Sequence, residues 1–252
     1  MGRFVLWCDV DGVVSNTVAG IQIEVARNTG VVFRPQDVGQ QAVTQALADS
    51  GLFESGSDME VYVKEAIYKA FASPLFYSAL GHYPEAWAAV VSLLMAKSQK
   101  ELWADLVDVR FLTARPFETT RMRVASQKWI SDRFGWDALL YFERAHGAKD
   151  KGEFLSQWGR EAAESETWLI LEDSLEQVYG IQREIMAGCL PCKNIFVFLV
   201  DRPWNQMGCK GNDEILHSLA NGQWIRISES GLEMALSKQV LQHAQDNTEE
   251  EG

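Results

Sequence analysis

Asp9 and Asp11 stand two residues apart where the apolar run Phe4-Val5-Leu6-Trp7-Cys8 gives way to Gly12. Side chains at i and i+2 on a strand point the same way, so both carboxylates are expected to leave together from the strand's carboxyl end. Two ionised carboxylates that close repel each other, and a divalent cation is the usual remedy. An ordinary strand followed by an Asp-Gly turn would also produce the pattern. Further along, Thr113, Ala114 and Arg115 end a second apolar run, Lys151 follows Lys149-Asp150, and Glu172-Asp173 closes Trp168-Leu169-Ile170-Leu171. Taken singly, Thr113 reads as a strand end, Lys151 as a surface lysine and Glu172-Asp173 as a helix cap. Together, at successive strand ends, they suit a phosphorylated ligand held with a divalent metal. The acids would hold the cation, and the lysine and hydroxyl would meet phosphate oxygens.

The elements that must position these residues follow from periodicity. Unalternating apolar runs read as strands buried on both faces. They fall in the run that opens at Phe4 and ends in the two aspartates, at 107–112, 139–142, 168–171, 195–200 and, more weakly, 224–227. Helical patterns fall at 17–28 with Gly30 as the stop, 40–48, 59–72 before Pro74, 84–97 opened by Pro84, 118–134 closed by Gly135, 151–160, and from Ser174 to about 187. Strands alternating with helices predict a Rossmann-like three-layer α/β/α fold on a parallel sheet, with ligands bound beyond the strands' carboxyl ends. Residues 1–14 and 81–244 form the expected core domain, 15–80 a small helical insertion after the first strand, and 245–252 an acidic disordered tail. Of the insertion's aromatics, Phe33, Phe53, Tyr62, Tyr68, Phe71, Phe76 and Tyr77, most are expected to form its own core.

Bulk properties narrow the classes. The chain has 252 residues, 47% hydrophobic and 23% charged, with a formal charge of −12. That is an ordinary globular composition, and the acidic balance disfavours long nucleic acids and anionic membranes. No basic n-region precedes an apolar h-region and no run reaches the length of a membrane span, so neither a signal peptide nor a spanning helix is expected. Four cysteines predict no disulfide scaffold and fit a cytoplasmic location. Cys189 and Cys192, with Cys209 and His217 downstream, leave open a zinc site or ordinary thiols around a turn at Pro191.

In the order Asp9-Val10-Asp11-Gly12, Thr113, Lys151 and Glu172-Asp173, the chain resembles the haloacid-dehalogenase-like (HAD) phosphohydrolase superfamily. Scattered segments are similar to its 5'(3')-deoxyribonucleotidases. These are Pro74 to Leu80, Lys128-Trp129-Ile130 into Phe134-Gly135, Tyr141-Phe142-Glu143 before Asp150-Lys151, and Arg202-Pro203-Trp204-Asn205. The resemblance implies a Mg²⁺-dependent phosphomonoesterase acting on nucleoside monophosphates, with deoxyribonucleotides favoured. Asp9 would be the nucleophile that forms an aspartyl-phosphate. Asp11 would be the general acid and base. It further implies Mg²⁺ on Asp9, the Asp11 carbonyl, Asp173 and Glu172, and phosphoryl oxygens on Thr113, Ala114 and Lys151. The insertion would be a cap that closes over the site. Deoxyribonucleotidases favour paired aspartates where this chain has Glu172-Asp173, a pair that also suits sugar-phosphate phosphatases and phosphomutases. Arg115 either touches a second phosphate or braces a loop. A catalytically silent binding protein on the same fold is the alternative of another class. A homodimer is compatible with all three.

Overall fold

The computed structural model describes residues 3–31, 51, 58, 61–62, 65–66, 68–70, 73, 76–77, 80–98, 107–115, 119–158, 166–190, 194–202, 205 and 225–238. The expected helix at 40–48, the 245–252 tail, and Cys192, Cys209 and His217 lie outside them. In chain order the elements are β1 (Phe4–Asp9), α1 (Thr17–Thr29), α2 (Pro84–Ser98), β2 (Val107–Thr113), α3 (Thr120–Phe134), β3 (Leu139–Phe142), α4 (Lys151–Trp158), β4 (Thr167–Glu172), α5 (Leu175–Met186), β5 (Asn194–Val200) and β6 (Ile225–Ile227). The six strands form one sheet in the order β3-β2-β1-β4-β5-β6, and every pairing is parallel. The fold is α/β and Rossmann-like.

Strand alternation divides the core into two layers. Phe4, Leu6 and Cys8 of β1 pack with Phe111, Leu169, Leu171, Phe198 and Val200, against Ala86, Val90 and Leu93 of α2 and Trp129 and Ile130 of α3. Val5 and Trp7 point the other way, with Trp168, Ile170, Val197 and Leu199, against Phe154 and Leu155 of α4 and Val178 and Ile181 of α5. Complete burial of β1 and β4 on both faces explains why their sequences are apolar without alternation. Each such side chain contributes about 1.5–3 kcal/mol through burial.

Helix ends follow local chemistry. Asn16, Thr119 and Ser174 accept hydrogen bonds from Ala19 N, Met122 N and Gln177 N at the starts of α1, α3 and α5. Gly30 ends α1 in the left-handed conformation at φ 74°. Phe76, Tyr77 and Leu80 belong to the same core layer as Val13, Val14 and α2. The expectation that the insertion's aromatics form a separate core therefore fails for this pair, and Tyr68 is 46% exposed.

Where α4 crosses α5, Gly152 faces Gly180. A Cβ on Gly152 would overlap the Gly180 carbonyl and lie 2.8 Å from Ile181 N. Gly152→Ala should destabilise the protein by about 1–3 kcal/mol, although alanine favours the helix by about 1 kcal/mol. Urea unfolding checks this, and an unchanged midpoint would contradict the close approach.

Candidate active site

The polar residues singled out by sequence gather at the carboxyl ends of β1, β2 and β4. β1 ends at Asp9, in register with Leu112 of β2. Asp9 continues the alternation of Val5 and Trp7, which carries it to the α4 side of the sheet. There Lys151, first residue of α4, sets its Nζ 2.5 Å from Asp9 Oδ1 and 2.5 Å from Glu172 Oε2. All three residues are buried. Lys151 is fixed in turn by its backbone N–H, which donates to Gln177 Oε1 at 2.9 Å. The other Glu172 oxygen accepts from the backbone N–H groups of Asp173 and Ser174 at 3.1 and 3.0 Å.

Asp11 does not leave with Asp9. The strand has already ended, so the two-residue rule no longer applies, and the chain turns through Gly12 at φ 85°. Asp11 instead receives Arg115 Nη2 at 2.7 Å, Arg115 Nε at 2.8 and 2.9 Å, and Thr113 Oγ1 at 2.9 Å. Thr17, at the start of α1, also donates to it. Arg115 is fully buried as a side chain, lies 5.2 Å from the Tyr77 ring and 5.6 Å from the Trp129 ring, and also reaches Ser15 Oγ. Arg115 thus braces Asp11. Thr113 is buried and accepts from Arg115 N at 3.1 Å. Ala114, between them, is exposed.

The two aspartates thus sit in opposite fields. Burial and then the Glu172 carboxylate push the Asp9 carboxyl well above its usual range, against the pull of Lys151. Burial also pushes Asp11 upward, but the Arg115 charge and the hydrogen bonds from Arg115, Thr17 and Thr113 outweigh it and hold Asp11 below its usual range. Burial works against the charged form of Lys151, yet Asp9 and Glu172 together raise its pKa.

Asp9, Glu172 and Asp173 each present a carboxylate oxygen within 4.8 Å of the others. An all-oxygen, buried donor set in which the Glu172 and Asp173 carboxylates push the Asp9 carboxyl upward fits a hard divalent cation such as Mg²⁺. Asp173 also borders Gly12, where any Cβ would overlap its carboxylate. Cys189 is an exposed free thiol.

Several contributors escaped the sequence reading. Asn205 donates from Nδ2 to the carbonyls of Asp173 and Val200 at 2.9 and 2.7 Å. Arg202 donates to the carbonyls of Gly12 and Val13 at 2.6 and 2.9 Å, with Cζ 3.6 Å from the Tyr83 ring centroid. Both stand in the Arg202-Pro203-Trp204-Asn205 segment, which the sequence offered as part of a family likeness without a role at the site. Glu143, one residue beyond β3, is 1% exposed.

No family model matches the sequence, and no curated protein matches it. Solved structures do. The magnesium-bound protein described as HAD-hydrolase YfnB, from Bacillus subtilis, aligns with a TM-score of 0.54 and 13% identity, over 93% of this chain and 97% of that one. The fold is the one that HAD-hydrolase has. A protein described as a beta-phosphoglucomutase from Thermotoga maritima aligns at 0.49 and 14% identity, over 94% and 99% of the two chains. L-2-haloacid dehalogenase from Xanthobacter autotrophicus aligns at 0.43 and 14%, over 88% and 84%. The narrower likeness to 5'(3')-deoxyribonucleotidases finds no support in these HAD structures. Among the described residues, no helix is long and apolar enough to cross a membrane.

Arg115→Met should cost about 3 kcal/mol at neutral pH, because it leaves the Asp11 charge without its counter-ion. Since the folded pKa of Asp11 is depressed, the stabilisation is full above the unfolded value of about 3.9 and is lost as pH falls through the folded value. The stability gap between parent and variant should therefore narrow below about pH 4. A gap independent of pH from 3 to 7, on a scale set by that reference value of about 3.9, would show that Arg115 acts through packing alone.

Proposed function

We propose that this protein is a Mg²⁺-dependent phosphatase or phosphomutase acting on a small phosphorylated metabolite through an aspartyl-phosphate on Asp9. The observation that carries the proposal is the Lys151 ammonium shared by Asp9 and Glu172 beside Asp173. It joins a nucleophile, an acidic cation site and a phosphate-binding cation at one strand-end rim. Asp9, Asp173, Glu172 and the Asp11 carbonyl would hold Mg²⁺, which when bound supplies charge neutralisation for a phosphoryl group. A carboxylate oxygen of Asp9 attacks phosphorus, and the bond from phosphorus to the ester oxygen breaks. The leaving oxygen takes a proton from Asp11. Water then attacks the aspartyl-phosphate, Asp11 takes the water's proton, and phosphate and free Asp9 are regenerated. In a mutase the second acceptor is a sugar hydroxyl in place of water. Lys151, Thr113 and the backbone around Ala114 bind the phosphoryl oxygens.

Asp11 paired with Arg115 is ionised and suited to the second half of this cycle. To protonate a leaving group it must turn from Arg115 and take up a proton. Its bond with Thr17 of α1 ties that turn to the 15–80 segment, which we assign as the cap that closes over the substrate.

Sugar phosphates take precedence over nucleoside monophosphates as substrates. Glu172-Asp173 suits enzymes of sugar phosphates, and the segments that suggested a nucleotidase are spent on packing. Phe76, Tyr77, Trp129, Ile130 and Phe142 are all buried, which leaves them unavailable to stack on a base.

Phosphate release and isomerisation across a panel of sugar phosphates and nucleoside monophosphates test the reading. Sugar phosphates should react, EDTA should stop the reaction, and Asp9→Asn should lower kcat by about 1,000-fold or more. Hydrolysis confined to nucleotides would overturn the substrate class. An unimpaired Asp9→Asn variant would overturn the mechanism, and no turnover of any phosphate ester would favour a silent binding protein.

A further inference from the structure

Glu143 is a buried acid that the mechanism does not use. It directly follows β3, whose last residue Phe142 is in register with Thr113, and it opens the turn that leads to Lys151 and α4. Its Oε2 is buried without a hydrogen-bond partner among the described residues. Its ion pair there is with Arg144, 63% exposed, whose Nε lies 3.8 Å from Oε1. Leaving a buried carboxylate oxygen unbonded is costly, and native proteins keep such groups where a ligand or a second state uses them. Burial raises the Glu143 pKa, and Lys151 is the leading opposing charge that acts on it.

Lys151 supplies the matching donor. Its ammonium carries three N–H groups, and two of them are directed at Asp9 and Glu172. Glu172 already takes one Lys151 N–H on Oε2, and its Oε1 accepts two backbone N–H groups, so it does not replace the acceptor that Asp9 withdraws. Asp9, however, cannot keep an ammonium on the oxygen that attacks phosphorus or binds a cation. When Asp9 is engaged, Lys151 loses one of its two acceptors.

We propose that Glu143 is the positioning residue that receives the Lys151 ammonium when Asp9 turns to metal and phosphorus. Lys151 then pivots on Glu172, keeping one bond and exchanging Asp9 for Glu143. The exchange frees the nucleophile without leaving a buried ammonium short of acceptors, and it aims the remaining N–H at a phosphoryl oxygen. Glu143 touches neither substrate nor metal and acts through Lys151. The inference rests on the metal and phosphate reading of the site given above.

Calorimetric titration of Mg²⁺, which needs no substrate, tests it alongside melting temperature and the kcat and KM of the full-length protein. Glu143→Gln and Glu143→Leu should bind Mg²⁺ about 10-fold more weakly than the parent, with kcat falling more than KM changes. Melting temperatures should be unchanged or higher, because removing an unsatisfied buried carboxylate relieves the folded state. In a Lys151→Met background, Glu143→Gln should have no further effect on Mg²⁺ affinity. Parental Mg²⁺ affinity in both Glu143 variants would overturn the inference alone, as would an undiminished effect in the Lys151→Met background. A lower melting temperature in both variants with proportionate loss of binding would assign Glu143 a structural role and also overturn it. A parent protein that binds no Mg²⁺ would overturn both this inference and the reading on which it rests.

Discussion

One ammonium group holds the site together. Lys151 Nζ lies 2.5 Å from Asp9 and 2.5 Å from Glu172, so β1, α4 and β4 meet at a single buried charge. Without it, Asp9 would face the Glu172 and Asp173 carboxylates in a buried setting that already pushes its carboxyl upward. With it, Asp9 and Glu172 share one buried counter-charge. A divalent cation at Asp9, Glu172 and Asp173 would complete what the lysine begins.

The same economy of charge separates the two aspartates of the opening motif. Asp9 lies among acids and a lysine, while Asp11 lies against an arginine and two hydroxyls, and their pKa values move in opposite directions. Two chemically identical side chains two residues apart thereby become suited to different work. The division depends on β1 ending at Asp9 and on Gly12, whose positive φ and missing Cβ let the chain turn past Asp173. Arg202 holds that turn from outside through the Gly12 and Val13 carbonyls. It also lies against Tyr83, where the chain returns to the core.

Much of the fold was legible because the sheet is buried on both faces. Runs such as Trp168-Leu169-Ile170-Leu171 have no reading other than a covered strand once helices alternate with them, and the bounds of β3 were anticipated to the residue. The gathering of Asp9, Thr113, Lys151 and Asp173 at one rim was legible from the rule that binding groups lie past strand ends. What was hidden depends on where β1 stops and on pairings between residues far apart in sequence. Nothing local says that Asp11 will turn from Asp9 to Arg115, that Asn205 will hold the Asp173 carbonyl, or that Glu143 will be buried. Phe76 and Tyr77 were expected inside a core of the insertion's own and instead join the layer that holds Trp129.

The account turns on Asp9 being the atom that meets phosphorus while Asp11 stays out of the metal's reach through its side chain. A crystal structure of the protein grown with Mg²⁺ and beryllium fluoride would test that most directly. The account predicts a beryllofluoride group bonded to an Asp9 carboxylate oxygen, with Mg²⁺ bound by Asp9 and Asp173 and Lys151 directed at a fluoride. Beryllofluoride on Asp11, or Mg²⁺ bound away from Asp9 and Asp173, would contradict it.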